Sequence, residues 1–77
     1  MERTDIYFAK NYMVRAFAYC VQYCKNSMSR IVSVVADVDS TRVSIYGHIH
    51  GEHLNRALDY LARTRGYKPI DITTITI

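Results

Sequence analysis

The stretch Thr41–Gly66, TRVSIYGHIHGEHLNRALDYLARTRG, combines a strand, a turn and a helix. Apolar and polar residues alternate over Arg42–His50, which is the period of a strand with one buried face. After His50 the apolar residues recur at intervals of three and four, forming one helical stripe made of Leu54, Ala57, Leu58, Leu61 and Ala62. Gly66 follows the stripe, as expected for a glycine that ends a helix. The rest of the chain must cover the apolar faces of this strand and this helix.

Four further segments complete the pattern. Ala9–Lys25 has opposite polar and apolar arcs, which predicts an amphipathic helix. Ile31–Val38 is rich in β-branched residues and apolar on both faces, so we predict a strand at the centre of the sheet. Asp39–Thr41 is short enough to join the two neighbouring strands as a hairpin. Ile70–Ile77 is predicted as the last strand, and its isoleucines change faces near Thr73, which indicates a bulge or a strand covered on both sides.

These elements predict an α+β fold in the order αββαβ, a two-layer sandwich with two helices on one face of a three-stranded sheet. The start of the chain leaves an alternative open, because Thr4-Asp5 fits a helix cap whereas Thr4–Phe8 fits a short edge strand. If it is a strand, the order becomes βαββαβ, the ferredoxin-like arrangement. We expect residues 1–77 to form one small domain. A chain of this length buries only about 60% of its unfolded surface, so its core is marginal without a partner.

The composition excludes some classes of protein. A hydrophobic fraction of 49% is too high for a disordered chain. The formal charge of +3 is compatible with an acidic partner but does not require one. No transmembrane segment is predicted, because no apolar run reaches about 18 residues. Met1–Asp5 is polar and does not resemble a signal peptide, so we expect a reduced, cytoplasmic protein.

Several segments of the C-terminal half resemble the BON domain. They are Arg42–Ile49, Ala57, Leu61–Arg63, Gly66–Asp71 and Ile75–Ile77. The family's pattern is hydrophobic spacing with one glycine in a strand and a second after the following helix. The resemblance implies an αββαβ fold and a non-enzymatic module that attaches to membranes, ligands or other proteins.

Ile31–Asp37 and Val43–Gly47 are similar to the heavy-metal-associated domain. In that family two cysteines three apart precede the first helix, and the equivalent positions here hold Val14 and Phe17. The metal loop of that family is therefore absent, and we prefer the BON-like interpretation.

Histidine and cysteine are the candidate metal ligands. His48, His50 and His53 could supply three imidazoles to zinc and leave an open coordination position, but no fourth ligand is evident. We therefore predict no metal and no other cofactor, and keep a metal site at these histidines as an alternative. Cys20 and Cys24 share the apolar arc of the first helix, so we expect them to pack in the core.

Two surfaces are candidate partner-binding sites. The first is an apolar patch on the face of the sheet away from the helices, and the second is a strip along the flank of the first helix. Their residues are Ile31, Val35, Tyr46 and His48 on the sheet, and Tyr12, Arg15, Tyr19 and Tyr23 on the helix. Arg56, Arg63 and Arg65 lie on or near the exposed side of the second helix, as a solvated face or as phosphate contacts.

We predict a non-enzymatic, regulatory interaction module that forms a homodimer, or docks another protein, through its open sheet face. The first alternative is a nucleic-acid-binding regulator that uses the arginine and tyrosine surface. The second is a metal-binding protein with its site at His48, His50 and His53. An enzyme is not predicted, because no nucleophile–base pair or pair of carboxylates is evident.

Overall fold

The computed structural model describes all residues, Met1–Ile77. Six elements follow each other along the chain: β1 (Glu2–Tyr7), α1 (Asn11–Tyr23), β2 (Arg30–Asp37), β3 (Arg42–His48), α2 (Gly51–Arg65) and β4 (Asp71–Thr76). The strands form one antiparallel sheet in the order β2-β3-β1-β4. The α+β class is confirmed, but the sheet has four strands rather than the predicted three. The βαββαβ order is the ferredoxin-like alternative.

The predicted centre and edge of the sheet are exchanged. β1 lies between β3 and β4, whereas β2, predicted as the central strand, is at an edge. The central position of β1 is not evident from the sequence, because β1 contains the polar residues Thr4 and Asp5. Both are buried, and their hydrogen-bond partners are distant along the chain. The Thr4 hydroxyl lies 3.3 Å from that of Thr74, and Ser44 Oγ donates to Asp5 Oδ1 at 2.8 Å. These hydrogen bonds satisfy the polar atoms of Thr4 and Asp5, whose burial in a central strand would otherwise be unfavourable.

The core lies between the two helices and one face of the sheet. α1 packs over β2 and β3, and α2 packs beside α1. The rings of Phe8 and Phe17 meet at 5.4 Å between centroids. The buried apolar residues are Ile6, Phe8, Val14, Phe17, Ala18, Cys20, Val21, Val43, Ile45, Ile49, Ala57 and Leu61. β4 makes its main contacts with β1 alone, and the helices leave it largely uncovered.

A β-bulge at Val32 changes the face on which Ile31 lies. Ile31 is opposite Gly47, whereas Ser33 is opposite Tyr46, so Val32 is the extra residue. Gly47 has φ +100°, and a Cβ there would lie 2.3 Å from the carbonyl oxygen of Arg30, so only glycine fits. Upstream of the bulge Ile31 packs against the core on the helix side. Its predicted place on the open face is therefore wrong.

β4 has neither of the two features expected of it. Its pairing with β1 runs without interruption from Asp71 opposite Tyr7 to Thr76 opposite Glu2, so there is no bulge near Thr73. Every residue of β4 is exposed, including Ile72 and Ile75 on its two faces. The strand is thus uncovered on both sides rather than covered.

The two helices end differently. Gly66 is left-handed at φ 71° and donates its N–H to Ala62, as the sequence predicted. At the other end of α2, the His50 side chain accepts from the N–H of Glu52. α1 is shorter than the predicted Ala9–Lys25 and has no side-chain cap. Neither helix has the length and apolar character needed to span a membrane.

Candidate interaction surfaces

The three histidines proposed as an alternative metal site are directed to three different places. His48 Nδ1 pairs with Glu2 at 3.0 Å on the surface, and His50 caps α2. His53 is buried between α1 and the start of β2. No group of three or more histidine, cysteine, aspartate or glutamate side chains has an arrangement that could hold a metal ion.

His53 is part of a hydrogen-bonded chain that joins α2 to its neighbours. Its Nε2 lies 2.9 Å from the carbonyl oxygen of Val21, which can only accept, so Nε2 carries the proton. Nδ1 then accepts from Ser29 Oγ at 2.8 Å, and that oxygen accepts from the N–H of His50 at 2.9 Å. All polar atoms of this buried ring are satisfied, which indicates a structural role.

The two cysteines are free and have different surroundings. Cys20 lies in the core, as predicted, and Cys24 is half-buried. Burial raises the pKa of the Cys20 thiol, and the neighbouring Cys24 adds to this effect, whereas Arg65 opposes it. A raised pKa leaves less thiolate, which is the reactive and metal-binding form of cysteine. The structure therefore gives Cys20 a packing role.

The open face of the sheet is more polar than the sequence suggested. Val35 and Tyr46 lie on it as predicted, Ile31 does not, and His48 pairs with Glu2 at the end of β3. Two ion pairs cross it: Arg3–Asp5 at 3.2 Å and Arg42–Asp37 at 3.3 Å. Because its central charges are already paired, this face is not a continuous apolar patch. Partner binding through it stays a prediction.

Backbone pairing shows which groups of β4 are directed to its free edge. Ile77 N donates to Met1 O at 2.7 Å, and the Met1 amine donates to Ile77 O at 2.8 Å. Hydrogen-bonded pairs alternate along an antiparallel ladder, so the odd-numbered residues of β4 bond to β1. The N–H and C=O groups of Ile72, Thr74 and Thr76 therefore point outward. Asp71 Oδ1 occupies the outward N–H of Ile72 at 2.9 Å.

The predicted tyrosine strip is exposed, and the structure adds a residue to it. Tyr19 and Tyr23 are stacked on α1, with centroids 6.2 Å apart and planes at 16°. Tyr60 of α2 lies across from them, and the three rings line a groove of about 270 Å³ together with Cys20 and Cys24.

Tyr12 lies at the other end of α1, where its ring meets that of Tyr67 edge-on at 5.6 Å. Arg15 is exposed on the same helix. Tyr60 was not predicted as part of this surface, because it lies on the solvated side of α2 in the helical pattern. Only the antiparallel packing of the two helices brings Tyr60 close to α1. The free, uncharged edge of β4 was also not predicted as a candidate surface. The signal for that edge was the run ITTITI, in which no residue is charged.

Comparison with known proteins does not assign the chain to a family, since no protein-family model, curated protein or solved structure matches it. The resemblances to the BON domain and to the heavy-metal-associated domain receive no support from these comparisons.

Proposed function

We propose that this protein is an interaction module that self-associates through β4, so that two sheets join edge to edge. The observation that supports the proposal is that every residue of β4 is exposed, at an edge of the sheet without protective features. Natural proteins guard such edges with lysines, prolines, bulges or a covering element, because unpaired backbone groups otherwise bind another strand. Ile72–Ile77 contains none of these features.

The apolar surface of β4 gives a reason for association. Ile72 and Ile75 are 38% and 42% exposed on opposite faces of the strand, and Ile70 and Ile77 are more exposed still. Burial of apolar surface contributes about 25 cal/mol for each Å² to the free energy of association. A second strand beside β4 would cover parts of both faces at once, which a partner on the open face alone would not do.

The second copy fits because the outward groups of β4 are self-complementary. A two-fold axis perpendicular to the sheet pairs residues that lie on the same face, and Ile72, Thr74 and Thr76 are symmetric about Thr74. Thr74 would therefore lie opposite the partner's Thr74, and Ile72 opposite the partner's Thr76. This register uses all the outward backbone groups and forms about six hydrogen bonds. The Asp71 carboxylate would release the N–H of Ile72.

Charge substitution at the axis tests the proposal. In Thr74→Lys, two like charges would be directly opposite, which destabilises a cross-strand pair. We expect light scattering to give twice the chain mass of 8.9 kDa for the wild-type protein and a single-chain mass for Thr74→Lys. Thr74→Glu should also be monomeric, and an equimolar mixture of the two variants should recover the dimer.

Thr76→Lys is the matched control, because it places the same charge opposite an isoleucine of the partner. It should weaken the dimer clearly less than Thr74→Lys does, and circular dichroism should show that all the variants are folded. A single-chain mass for the wild-type protein across the micromolar range would contradict self-association. A dimer that Val35→Glu dissociates and Thr74→Lys does not would assign the contact to the open face instead.

We also propose a reducing, cytoplasmic location. Both cysteines are free, and they lie four residues apart at the end of a regular helix, where the geometry of a disulfide is poor. The oxidation state would test it, measured by thiol labelling under denaturing conditions after acid quenching of intact cells, with full labelling of both cysteines expected. A blocked pair of thiols would contradict it.

A further inference from the structure

We propose that the helical side of the molecule binds single-stranded nucleic acid, with stacked tyrosines for the bases and arginines for the phosphates. This side is called the helical layer and consists of residues 8–29 and 49–70, which contain both helices and their connections. The proposal is independent of self-association, because it concerns the face of the sandwich away from the sheet.

The charge of the chain is unevenly divided between its two layers. The helical layer has seven basic and two acidic side chains, whereas the strands and their hairpin have three basic and five acidic ones. The whole excess of positive charge is therefore on the helical layer. Basic residues concentrated on one face are the electrostatic feature of a nucleic-acid-binding surface.

The basic groups of the helical layer are also free to bind phosphate. Arg63, which pairs with Asp59, is the only one of the seven in an ion pair. On the sheet, by contrast, Arg3 and Arg42 each have an aspartate partner, and a phosphate would have to displace it. Charge complementarity thus favours the helical layer over the open sheet face as the site for a polyanion.

Exposed aromatic rings lie among these basic groups. Tyr12, Tyr19, Tyr23 and Tyr60 are all more than half exposed, and each belongs to the helical layer. The groove of about 270 Å³ between Tyr19, Tyr23 and Tyr60 continues into a second one of about 550 Å³ that Arg65 lines. Rings beside cations bind single strands, because every unpaired base has a face that stacks on an aromatic ring.

The dimensions of the surface suit a short single strand. Tyr12 and Tyr23 are eleven residues apart on α1, which is about 16 Å along a helix axis. That length corresponds to about five nucleotides at the 3.4 Å spacing of a stacked strand. A duplex would present its bases edge-on and leave the tyrosine faces unused, so unpaired bases are the better fit.

Titration with labelled oligonucleotides tests the proposal. The chain has seven tyrosines and no tryptophan, so quenching of its intrinsic fluorescence would report stacking directly. We expect poly(dT) and poly(U) oligonucleotides to bind and to quench, and equal binding of the two would show that the 2′-hydroxyl is not read. A preference for either would identify DNA or RNA as the ligand and also supports the proposal.

Variants separate the stacking contribution from the charge contribution. Tyr19→Ala and Tyr23→Ala should each weaken binding by about fivefold or more, whereas Tyr19→Phe and Tyr23→Phe should keep it. Arg65→Gln should lower the slope of log affinity against log salt by about 0.7. Arg30→Gln is the matched control, because it removes the same charge from the sheet and should leave that slope nearly unchanged.

Four results would overturn the proposal. They are stronger binding to duplex DNA, stronger binding to phosphatidylserine vesicles, an equal loss of affinity in Arg30→Gln and Arg65→Gln, and the absence of binding at low salt. Loss of binding in the phenylalanine variants would also contradict stacking. Circular dichroism of each variant identifies any loss that results from unfolding, and Tyr12→Ala then provides a third ring for the same comparison.

Discussion

The two edges of the sheet differ in how they meet solvent. At the β2 edge, the bulge at Val32 interrupts the strand, and Arg30 Nη1 donates to the carbonyl oxygens of Ser27 and Ser29 beside it. At the other end of β2, Asp37 pairs with Arg42. β4 has uninterrupted pairing on one side, outward backbone groups on the other and no charged residue after Asp71.

This difference has a physical meaning for assembly. A bulge and charges make a strand a poor template for another strand, whereas a flat, β-branched, uncharged strand is a good one. The β2 edge is thus protected and the β4 edge is available, which is the basis of the proposed pairing through β4. In a dimer built on β4 around a perpendicular two-fold axis, both helical layers lie on the same side of one continuous sheet. Two nucleic-acid-binding surfaces would then face the same single-stranded nucleic acid. Because the two surfaces are linked, the apparent affinity for that ligand would rise.

Gly47→Ala should have the largest effect, because it attacks the bulge that protects the β2 edge. The new Cβ would lie 2.3 Å from Arg30 O at a φ of +100°, so the bulge cannot persist unchanged. We expect the free energy of unfolding to fall by about 3 kcal/mol, measured by urea denaturation, because backbone strain and the new clash add together. Gly51→Ala is the matched control, since nothing lies within 4 Å of its added Cβ. An effect of similar size in both variants would contradict the proposed role of the bulge.

Proline substitution at neighbouring positions of β4 distinguishes its inward side from its outward side. Thr73 N–H belongs to the ladder with Asp5, so Thr73→Pro leaves a carbonyl unpaired at a cost of roughly 1–3 kcal/mol. Thr74 N–H points outward, so Thr74→Pro should cost clearly less and should leave a folded monomer. Urea denaturation and light scattering of the two variants measure this contrast. A larger loss of stability in Thr74→Pro than in Thr73→Pro would show that the ladder has the opposite phase, and equal losses would contradict the distinction between the two sides of β4.

The fold class was predictable because the elements from α1 onward have clear periodicity. The alternation before His50 and the stripe from Leu54 to Ala62 indicated a strand followed by a helix, and Gly66 marked the end of that helix. Such patterns are local, since they depend on the period of one element and on the residues that end it. The hairpin between β2 and β3 was predictable for the same reason.

The features that were not predictable depend on residues distant in the sequence. Asp5 is acceptable inside a central strand only because Ser44 and Arg3 satisfy it, and nothing near Asp5 in the sequence shows the Ser44 contact. The position of Ile31 depends on a bulge whose cause is Gly47, on the next strand. The tyrosine groove likewise needs the antiparallel packing of the helices to bring Tyr60 beside Tyr19. Tertiary pairing, rather than local preference, decides each of these cases.

Loss of the Asp37 charge at the β2 edge in acid should produce the smallest effect. Hydrogen bonding from Ser40 holds the pKa of Asp37 below its usual value, and Arg42 adds to this effect. Because the folded-state pKa is depressed, the Asp37 contribution to stability is present above the unfolded pKa and is lost as the pH falls through the folded one. The Asp37 side chain is 34% exposed at the surface, so solvent screening keeps the contribution small. Wild-type protein should therefore be slightly more stable than Asp37→Ala at neutral pH, and the difference should close in the acid range below the usual aspartate pKa of about 3.9.

Urea denaturation at a series of pH values measures the difference between wild-type protein and Asp37→Ala. Asp39→Ala is the matched control, since the Asp39 side chain has no hydrogen-bond partner in the same turn. A difference that is the same at acid and neutral pH would show that the Asp37 carboxylate does not hold this end of β2.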